Sequence, residues 1–378
     1  MMLELAEKYR EALKKREKEM PSFDKAITPE VFWYTDPTFF NFEKESVFKK
    51  SWQYVGRLDQ LVQKGDYFSG EFLGLPYIVI KNEEKSPRAF YNICSHHASL
   101  IVDEESSGNK DCFQCPYHGW TYGVKGDLNK IPGCGSLKGL NVKQLGLKEI
   151  PLKVKGPFIF LYFGSLKGKG EEEEEDFFPS ELLDKKVFDG MSFVGRFSYS
   201  LKCNWKVFVD NYLDGGYHVP WMHPGLSDQV NFDSYKTNVY ENYSVQSCLS
   251  KEGGEEGLRK KCDLDFPERV GKSARYFWMY PNFMVNIYGQ WVDTNWVKPI
   301  KEDECLVYFD YFYKGFLSDE LKQKSLNASF KVQEEDTVIC ERVQKGLSSG
   351  VYNPGPYVPK YEYPMFSFHQ KLLSSYQN

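Results

Sequence analysis

No stretch of the 378 residues stays apolar long enough to cross a bilayer, so no transmembrane helix is expected. The opening segment, MMLELAEKYREALKKREKEM, has no apolar core of the kind a secretory signal needs, and its acidic residues do not suit an organelle transit peptide. The expectation is a soluble intracellular protein, cytoplasmic, or in an organelle matrix if a targeting segment has been removed, with no membrane association. Charge of one sign is also missing. The 48 basic and 53 acidic residues are interspersed and leave a net charge of −5, which offers no field to a polyanion, so nucleic acid is not an expected partner. There is no GxGxxG nucleotide fingerprint and no internal repeat. Nine cysteines, an odd number scattered over a long chain, do not make a disulfide framework and suit a reducing compartment.

The length allows two domains, each able to bury a core. Residues 3–20 place apolar positions at helical spacing, which predicts an amphipathic helix in an N-terminal segment (1–45) that packs on the body. From about residue 46 to 165, YFSGEFLGLPYIVIK, PRAFYNIC and GPFIFLYFG are short apolar runs bounded by Gly, Pro or charge, the texture of an antiparallel β domain. A Gly/Lys stretch and the acidic run 171–176 follow and read as a solvated segment near a domain junction. Residues 180–378 mix strands (FVGRFSYSLK, RYFWMYPNFMVNIYG, CLVYFDYFYKG) with helices expected at about 204–218 and 318–346, which makes the whole an α+β protein.

Chemistry concentrates in two places. The first contains CxH (Cys94, His96) and, eighteen residues on, CxxH (Cys115, His118). Two thiolates and two imidazoles supplied pairwise by two loops is the donor set of a Rieske [2Fe-2S] centre, with the thiolates on one iron and the histidines on the other. A structural zinc site uses the same atoms and is the rival reading. Cys112 and Cys115 also form a CxxC, but Pro116 stands where a haem attachment needs His. His97 reads as a neighbour. The remaining cysteines, Cys134, Cys203, Cys248, Cys262, Cys305 and Cys340, read as small buried hydrophobes.

The second place is NWKVFVDNYLDGGYHVPWMHPGL. The chain has only six histidines, and His218 and His223 bring the number in the two motifs to four of the six. Positions five apart point about 140° apart on a straight helix, so both could not reach one metal unless Pro220 ends the helix near His218. Two histidines and a carboxylate with open positions form the facial triad of non-haem Fe(II) oxygenases. Asp336 is the candidate carboxylate, because Val332, Ile339, Cys340, Val343 and Leu347 put it in the middle of an apolar helical stripe, while Glu334 and Glu335 point away from that middle. An internal salt bridge is the alternative role for such an Asp. Asp214, four residues before His218, is placed to orient a metal-bound imidazole, with Asp210 a further turn back.

CxH and CPYHGWTY, followed by NWK, DNYLD, YHVP and a second His five residues after the first, make the chain resemble the α subunits of Rieske non-haem iron oxygenases. From about residue 50 onward, through DNYLDGGYHVP, YPNFMVNIYGQWVDTN, FDYF and the segment around Asp336, it is similar within that family to the choline monooxygenases. The resemblance implies an antiparallel β Rieske domain joined to a helix-grip (START-like) catalytic domain. It makes Cys94, His96, Cys115 and His118 cluster ligands, and His218, His223 and Asp336 ligands of mononuclear Fe(II). It implies a ring-shaped homotrimer in which the cluster of one subunit serves the iron of its neighbour through an Asp that matches Asp214. Many relatives place that Asp three residues before the first iron His. Here Gly215, Gly216 and Tyr217 intervene, and the two glycines leave room for looser local geometry.

The expected activity is oxygen-dependent hydroxylation of a quaternary ammonium substrate, choline to betaine aldehyde hydrate. Electrons would come from an external ferredoxin or flavin reductase, since the chain carries no nucleotide motif. N-demethylation of glycine betaine or carnitine, aromatic ring hydroxylation and a plain electron carrier are the alternatives. A trimethylammonium group needs aromatic faces, and Tyr276, Phe277, Trp278, Tyr280, Phe283, Tyr288, Trp291 and Trp296 crowd one region, most of them as core.

Overall fold

The computed structural model describes residues 2–19, 22–83, 86–133, 141, 144–166, 177–251 and 272–377. The acidic run 171–176, Cys134 and Cys262 lie outside the described residues. The chain divides into two compact units, Lys49–Lys167 and a second made of Met1–Phe48 with Gly168–Asn378. Among the described residues no helix is long and apolar enough to cross a membrane.

The Lys49–Lys167 unit is built on antiparallel sheets. Its five-stranded sheet runs in the order Ser107–Asn109, Asp66–Phe72, Leu75–Ile80, Arg88–Tyr91, Glu149–Ile150. The central LPYIVI strand is buried over its last four residues, as a strand covered on both faces requires. It is reached by a two-residue hairpin loop, Leu73 and Gly74, both at positive φ (53° and 81°), the pairing that matches the twist of adjacent strands. A three-stranded sheet of Cys112–Gln114, Thr121–Gly123 and Leu128–Lys130 supplies the second metal-motif loop.

The larger unit centres on a seven-stranded antiparallel sheet. Six strands meander from Val230–Val239 through Tyr243–Ser250, Ser273–Met279, Phe283–Tyr288 and Trp291–Lys301 to Glu304–Lys314, and Met191–Leu201 closes onto the last. RYFWMYPNFMVNIYG is two strands and not one. Its Tyr-Pro-Asn breaks the ladder because proline donates no hydrogen bond, and the chain turns there through a cis Tyr280–Pro281 peptide.

The helix Asp319–Leu347 lies on this sheet. Ser318 caps it by accepting from the Leu321 N–H, and Asp319 and Glu320 favour the positive end of its dipole. Phe330 packs against Phe197, Tyr199 and Tyr311, and the Tyr311 hydroxyl meets Ser329 Oγ at 2.9 Å, which anchors the helix in the grip of the sheet. The N-terminal residues belong to the same unit. Buried Arg16 donates to the carbonyls of Ile27 and Thr28, and Glu43 forms a fully buried ion pair with Lys206 at 2.7 Å.

The helix expected at 204–218 is shorter, Trp205–Tyr212. Leu213 caps it, Gly215 and Gly216 turn the chain beyond it, both in the left-handed region (φ 70° and 74°), and Pro220 sits in the first turn of a new short helix, Val219–Met222. His218 therefore stands at a helix start, where the sequence placed it at a helix end.

Candidate functional site

Both CxH and CxxH lie on loops of one design. The Cys94 N–H donates to the Ser99 carbonyl and its carbonyl accepts from Ala98; Cys115 does the same with Trp120 and Gly119. The fourth residue after each Cys takes a positive φ, 58° at Ala98 and 72° at Gly119. The outcome is two tight turns that bury each thiol in the core of the unit and leave His96 and His118 exposed. Buried Asn92 pins the first loop, accepting from the N–H groups of Ile101 and Val102.

The two imidazoles come together at 4.7 Å between centroids, with Trp120 stacked on His96 at 4.6 Å. The Tyr122 hydroxyl lies 3.2 Å from Cys94 Sγ and accepts from the Ser95 N–H. Burial, and then the Cys94 sulfur, pushes the Tyr122 hydroxyl up to about 12, so it stays a donor. At Cys115 burial opposes ionisation, but N–H groups of Tyr117 and His118 aimed at the sulfur outweigh it and hold the thiol below its ordinary value. Cys94, His96, Cys115 and His118 thus offer two buried sulfurs and two surface imidazoles, a donor set that fits a Rieske cluster. His97 is exposed beside His96, and Cys112 is an exposed free thiol.

In the larger unit His218, His223 and Asp336 each turn one ligand atom into a common space, all within 4.8 Å of one another. His223 Nε2 is 3.1 Å and His218 Nε2 3.9 Å from Asp336 Oδ1. Each imidazole is held from behind by a carboxylate: His218 Nδ1 by Asp214 Oδ2 and His223 Nδ1 by Glu335 Oε2, both at 2.7 Å. An Nδ1–H given to a carboxylate leaves the Nε2 lone pair for a metal and raises its basicity. Burial disfavours a proton on His223, but Asp336 and Glu335 outweigh it and hold its pKa above the ordinary value, so the pocket attracts positive charge. Two imidazoles and one carboxylate directed at one point, with two further carboxylates behind them, fit a divalent cation with open positions.

Asp214 also closes the turn. It accepts from the N–H groups of Gly216 and His218, so the glycines tighten this segment where the sequence suggested loosening. A Cβ on Gly215 would come within 2.3 Å of the Tyr361 carbonyl oxygen. Asp210 lies elsewhere. It meets His369 Nε2 at 2.8 Å and accepts from Tyr34, away from the metal-ligand group. Asp336 is buried as its helical position implies, while Val343 of the expected stripe is 44% exposed and Gln344 is buried in its place. Glu335, read as pointing away, reaches His223. Asn211, whose Nδ2 donates to Asp336 Oδ1 at 2.9 Å, carried no sequence signal beyond lying between the two motif aspartates.

A cavity of about 160 Å³ adjoins this group, with His218, His223 and Asp336 in its wall. The sheet contributes Gln246, Tyr276, Asn286 and Asp293, which sit side by side on four neighbouring strands in register. Asn286 orders the row: it accepts from Tyr212 Oη at 2.7 Å and donates to Asp293 Oδ1 and Asn295 Oδ1 at 2.7 and 2.9 Å. Burial, with the charge of Asp293 adding to it, keeps the Tyr212 hydroxyl protonated. Tyr276 and Tyr288 of the aromatic-rich region line the cavity, whereas Phe277, Trp278, Phe283, Trp291 and Trp296 are core.

Residues 51–145 match the Rieske [2Fe-2S] domain model and residues 188–378 the catalytic domain model of the ring hydroxylating α subunits. The chain is 40% identical to the chloroplastic choline monooxygenase of Arabidopsis thaliana, across 92% of this chain and 82% of that one. It is 30% identical to the carnitine monooxygenase oxygenase subunit of Escherichia coli (strain K12), across 85% and 84%. Among solved structures, the quaternary ammonium Rieske monooxygenase CntA in complex with L-carnitine aligns with a TM-score of 0.80 at 25% identity, over 96% of this chain and 99% of that one. Naphthalene 1,2-dioxygenase from Rhodococcus sp. aligns with 0.77 at 17% identity, over 98% and 99%, and shares the fold.

Proposed function

The chain belongs to the Rieske non-haem iron oxygenases with a ring hydroxylating α-subunit catalytic domain, and from that premise we propose that it is a monooxygenase of quaternary ammonium compounds, with choline as substrate and betaine aldehyde hydrate as product. Membership brings two cofactors, a Rieske [2Fe-2S] cluster and mononuclear iron. We assign the cluster to Cys94, His96, Cys115 and His118, and the iron to His218, His223 and Asp336. The observation that carries the reading is the ligand group set in the wall of a cavity whose sheet face presents tyrosine rings and a buried carboxylate.

Iron bound there supplies oxygen activation, and the cluster supplies electrons one at a time. Choline, O2, two electrons and two protons yield the aldehyde hydrate and water. The chain's own part is positional. Asp214 and Glu335 face Nδ1 of His218 and His223, which would leave both Nε2 atoms free to hold the metal. Asn211 holds one oxygen of Asp336, which limits how that carboxylate swings. The aromatic wall receives the ammonium group and shuts bulk water away from the carbon to be attacked.

The electron donor in this reading is a ferredoxin or flavin reductase. Assembly as a homotrimer belongs to this reading, and transfer between subunits is supported by a solved quaternary ammonium Rieske monooxygenase described as showing inter-subunit electron transfer. Free cysteines Cys94, Cys112, Cys115, Cys203, Cys248, Cys305 and Cys340 favour a reducing compartment, and the choline monooxygenase relatives are described as chloroplastic. The test is reductant-coupled oxygen uptake with choline, glycine betaine and carnitine, with products identified. Choline-dependent uptake yielding aldehyde is the expected result; formaldehyde release from any of the three would indicate N-demethylation instead, and no stimulation by any would overturn the substrate class.

A further inference from the structure

We propose that Asp293 is the specificity-determining residue of the cavity: its buried carboxylate selects a quaternary ammonium substrate with a net positive charge over one that carries its own carboxylate. The inference rests on the quaternary-ammonium reading above and adds which member of that class the cavity accepts. Asp293 is 1% exposed and lines the cavity from the strand Trp291–Lys301. Asn286 donates to its Oδ1 and is itself fixed by Tyr212 and Asn295, so the carboxylate is held in place.

The charge balance of the wall decides what can enter. Asp293 and Asp336 are its acidic groups, and no lysine or arginine is among the described lining residues. Asp336 stands in the metal-ligand group, which leaves Asp293 as the acidic group of the wall outside it. A quaternary ammonium has no N–H to donate, so it cannot be read by hydrogen bonds. Opposite charge at short range and the negative faces of rings are what remain. Tyr276 stands one strand away from Asn286 in the same row, and Tyr288 lies 6.5 Å from it between ring centroids, so rings and carboxylate share one face of the sheet.

A zwitterion such as glycine betaine or carnitine satisfies the same rings but places a second carboxylate in a space of about 160 Å³, where like charges repel strongly. Choline carries a hydroxyl there and brings no such cost.

The test uses the full-length protein with cluster and iron in place. Calorimetry measures binding of tetramethylammonium, choline, glycine betaine and the uncharged choline isostere 3,3-dimethylbutan-1-ol to wild type and Asp293→Asn. In wild type, tetramethylammonium and choline are expected to bind, and glycine betaine on the order of 100-fold more weakly than choline. In Asp293→Asn the preference for choline over the isostere is expected to fall by a similar factor of about 100, and that for choline over glycine betaine by more than about tenfold. Near-ultraviolet circular dichroism of the aromatic-rich larger unit, together with its iron content, confirms that the variant is folded. If the variant does not fold, the wild-type comparison still decides, since equal affinity for choline and the isostere overturns the proposal. An unchanged preference in a folded Asp293→Asn overturns it too. Binding of tetramethylammonium without any choline-stimulated oxygen uptake would keep the role of Asp293 and sink the proposed reaction.

Discussion

Replacing Glu335 by glutamine isolates one contact of the iron site. Glu335 Oε2 lies 2.7 Å from His223 Nδ1, and its side chain is 28% exposed. Glutamine keeps the length and an acceptor oxygen but removes the charge. A hydrogen bond to a charged group contributes about 1.5–3 kcal/mol and a neutral one about 1, so the loss in a buried pair would be about 1–2 kcal/mol. Partial exposure of Glu335 brings the expectation to the lower half, about 1–1.5 kcal/mol, which is roughly 5–12-fold in Fe(II) affinity. Alanine removes the acceptor as well and should cost about 10–100-fold. The assay is anaerobic Fe(II) binding against a competing chelator, with the cluster absorbance as an internal measure of intact protein. Glu334→Gln, one residue away and exposed, is the control. If Glu335→Gln binds iron as wild type does, or if Glu334→Gln weakens binding equally, the second carboxylate is not what holds His223 for the metal.

Tyr122→Phe removes the hydroxyl 3.2 Å from Cys94 Sγ. A donor to the sulfur favours the reduced, more negative cluster, so its loss should lower the reduction potential by roughly 40 mV for about 1 kcal/mol in a one-electron couple, read by voltammetry; an equal or higher potential contradicts this. Gly215→Ala puts a Cβ within 2.3 Å of the Tyr361 carbonyl at a φ of 70°, and should reduce iron occupancy while leaving the cluster spectrum intact. Glu43→Gln leaves the fully buried Lys206 ammonium without its carboxylate and should destabilise the larger unit by about 3–5 kcal/mol in denaturant titration; a change under about 1 kcal/mol would mean that the pair adds little.

What was legible in the sequence shares one property: it depends on a few residues close along the chain. CxH and CxxH could be picked out as a donor set by spacing alone, and bringing His218 to His223 needed only a break between them. Where the break falls was not legible, because Pro220 is the louder signal and is tolerated in the first turn of a new helix, while Gly215 and Gly216 act through a left-handed turn that only Asp214, bonding back to two N–H groups, makes visible. The role of Glu335 was hidden for a different reason. Helical periodicity separates a buried face from an exposed one, but a residue on the flank is assigned by whatever packs beside it, and His223 approaches there from a loop 112 residues away in sequence. Asp293 was hidden among aromatics that read as core. Period two puts Asp293 and Asn295 on one face of their strand, yet only the register with Asn286 and Tyr276 turns that face into a wall.

The labour in the catalytic unit is divided accordingly. The proposed metal ligands and the carboxylates behind them come from the segment Asp214–His223 and from one turn of the helix Asp319–Leu347, while the side chains that face a substrate come largely from the sheet. The two sets meet at few bonds, among them Asn211 to Asp336 and Tyr212 to Asn286, carried by adjacent residues at the end of one short helix. A sheet held by continuous ladders tolerates exchange of an inward side chain with little backbone movement, so the wall can be rewritten without disturbing the metal ligands. The fold is accordingly shared with naphthalene 1,2-dioxygenase at 17% identity. The helix end that carries Asn211 and Tyr212 is the place where the two sets cannot vary independently. Loss of either side chain should therefore disturb iron affinity and substrate preference together, where Asp293→Asn changes preference alone.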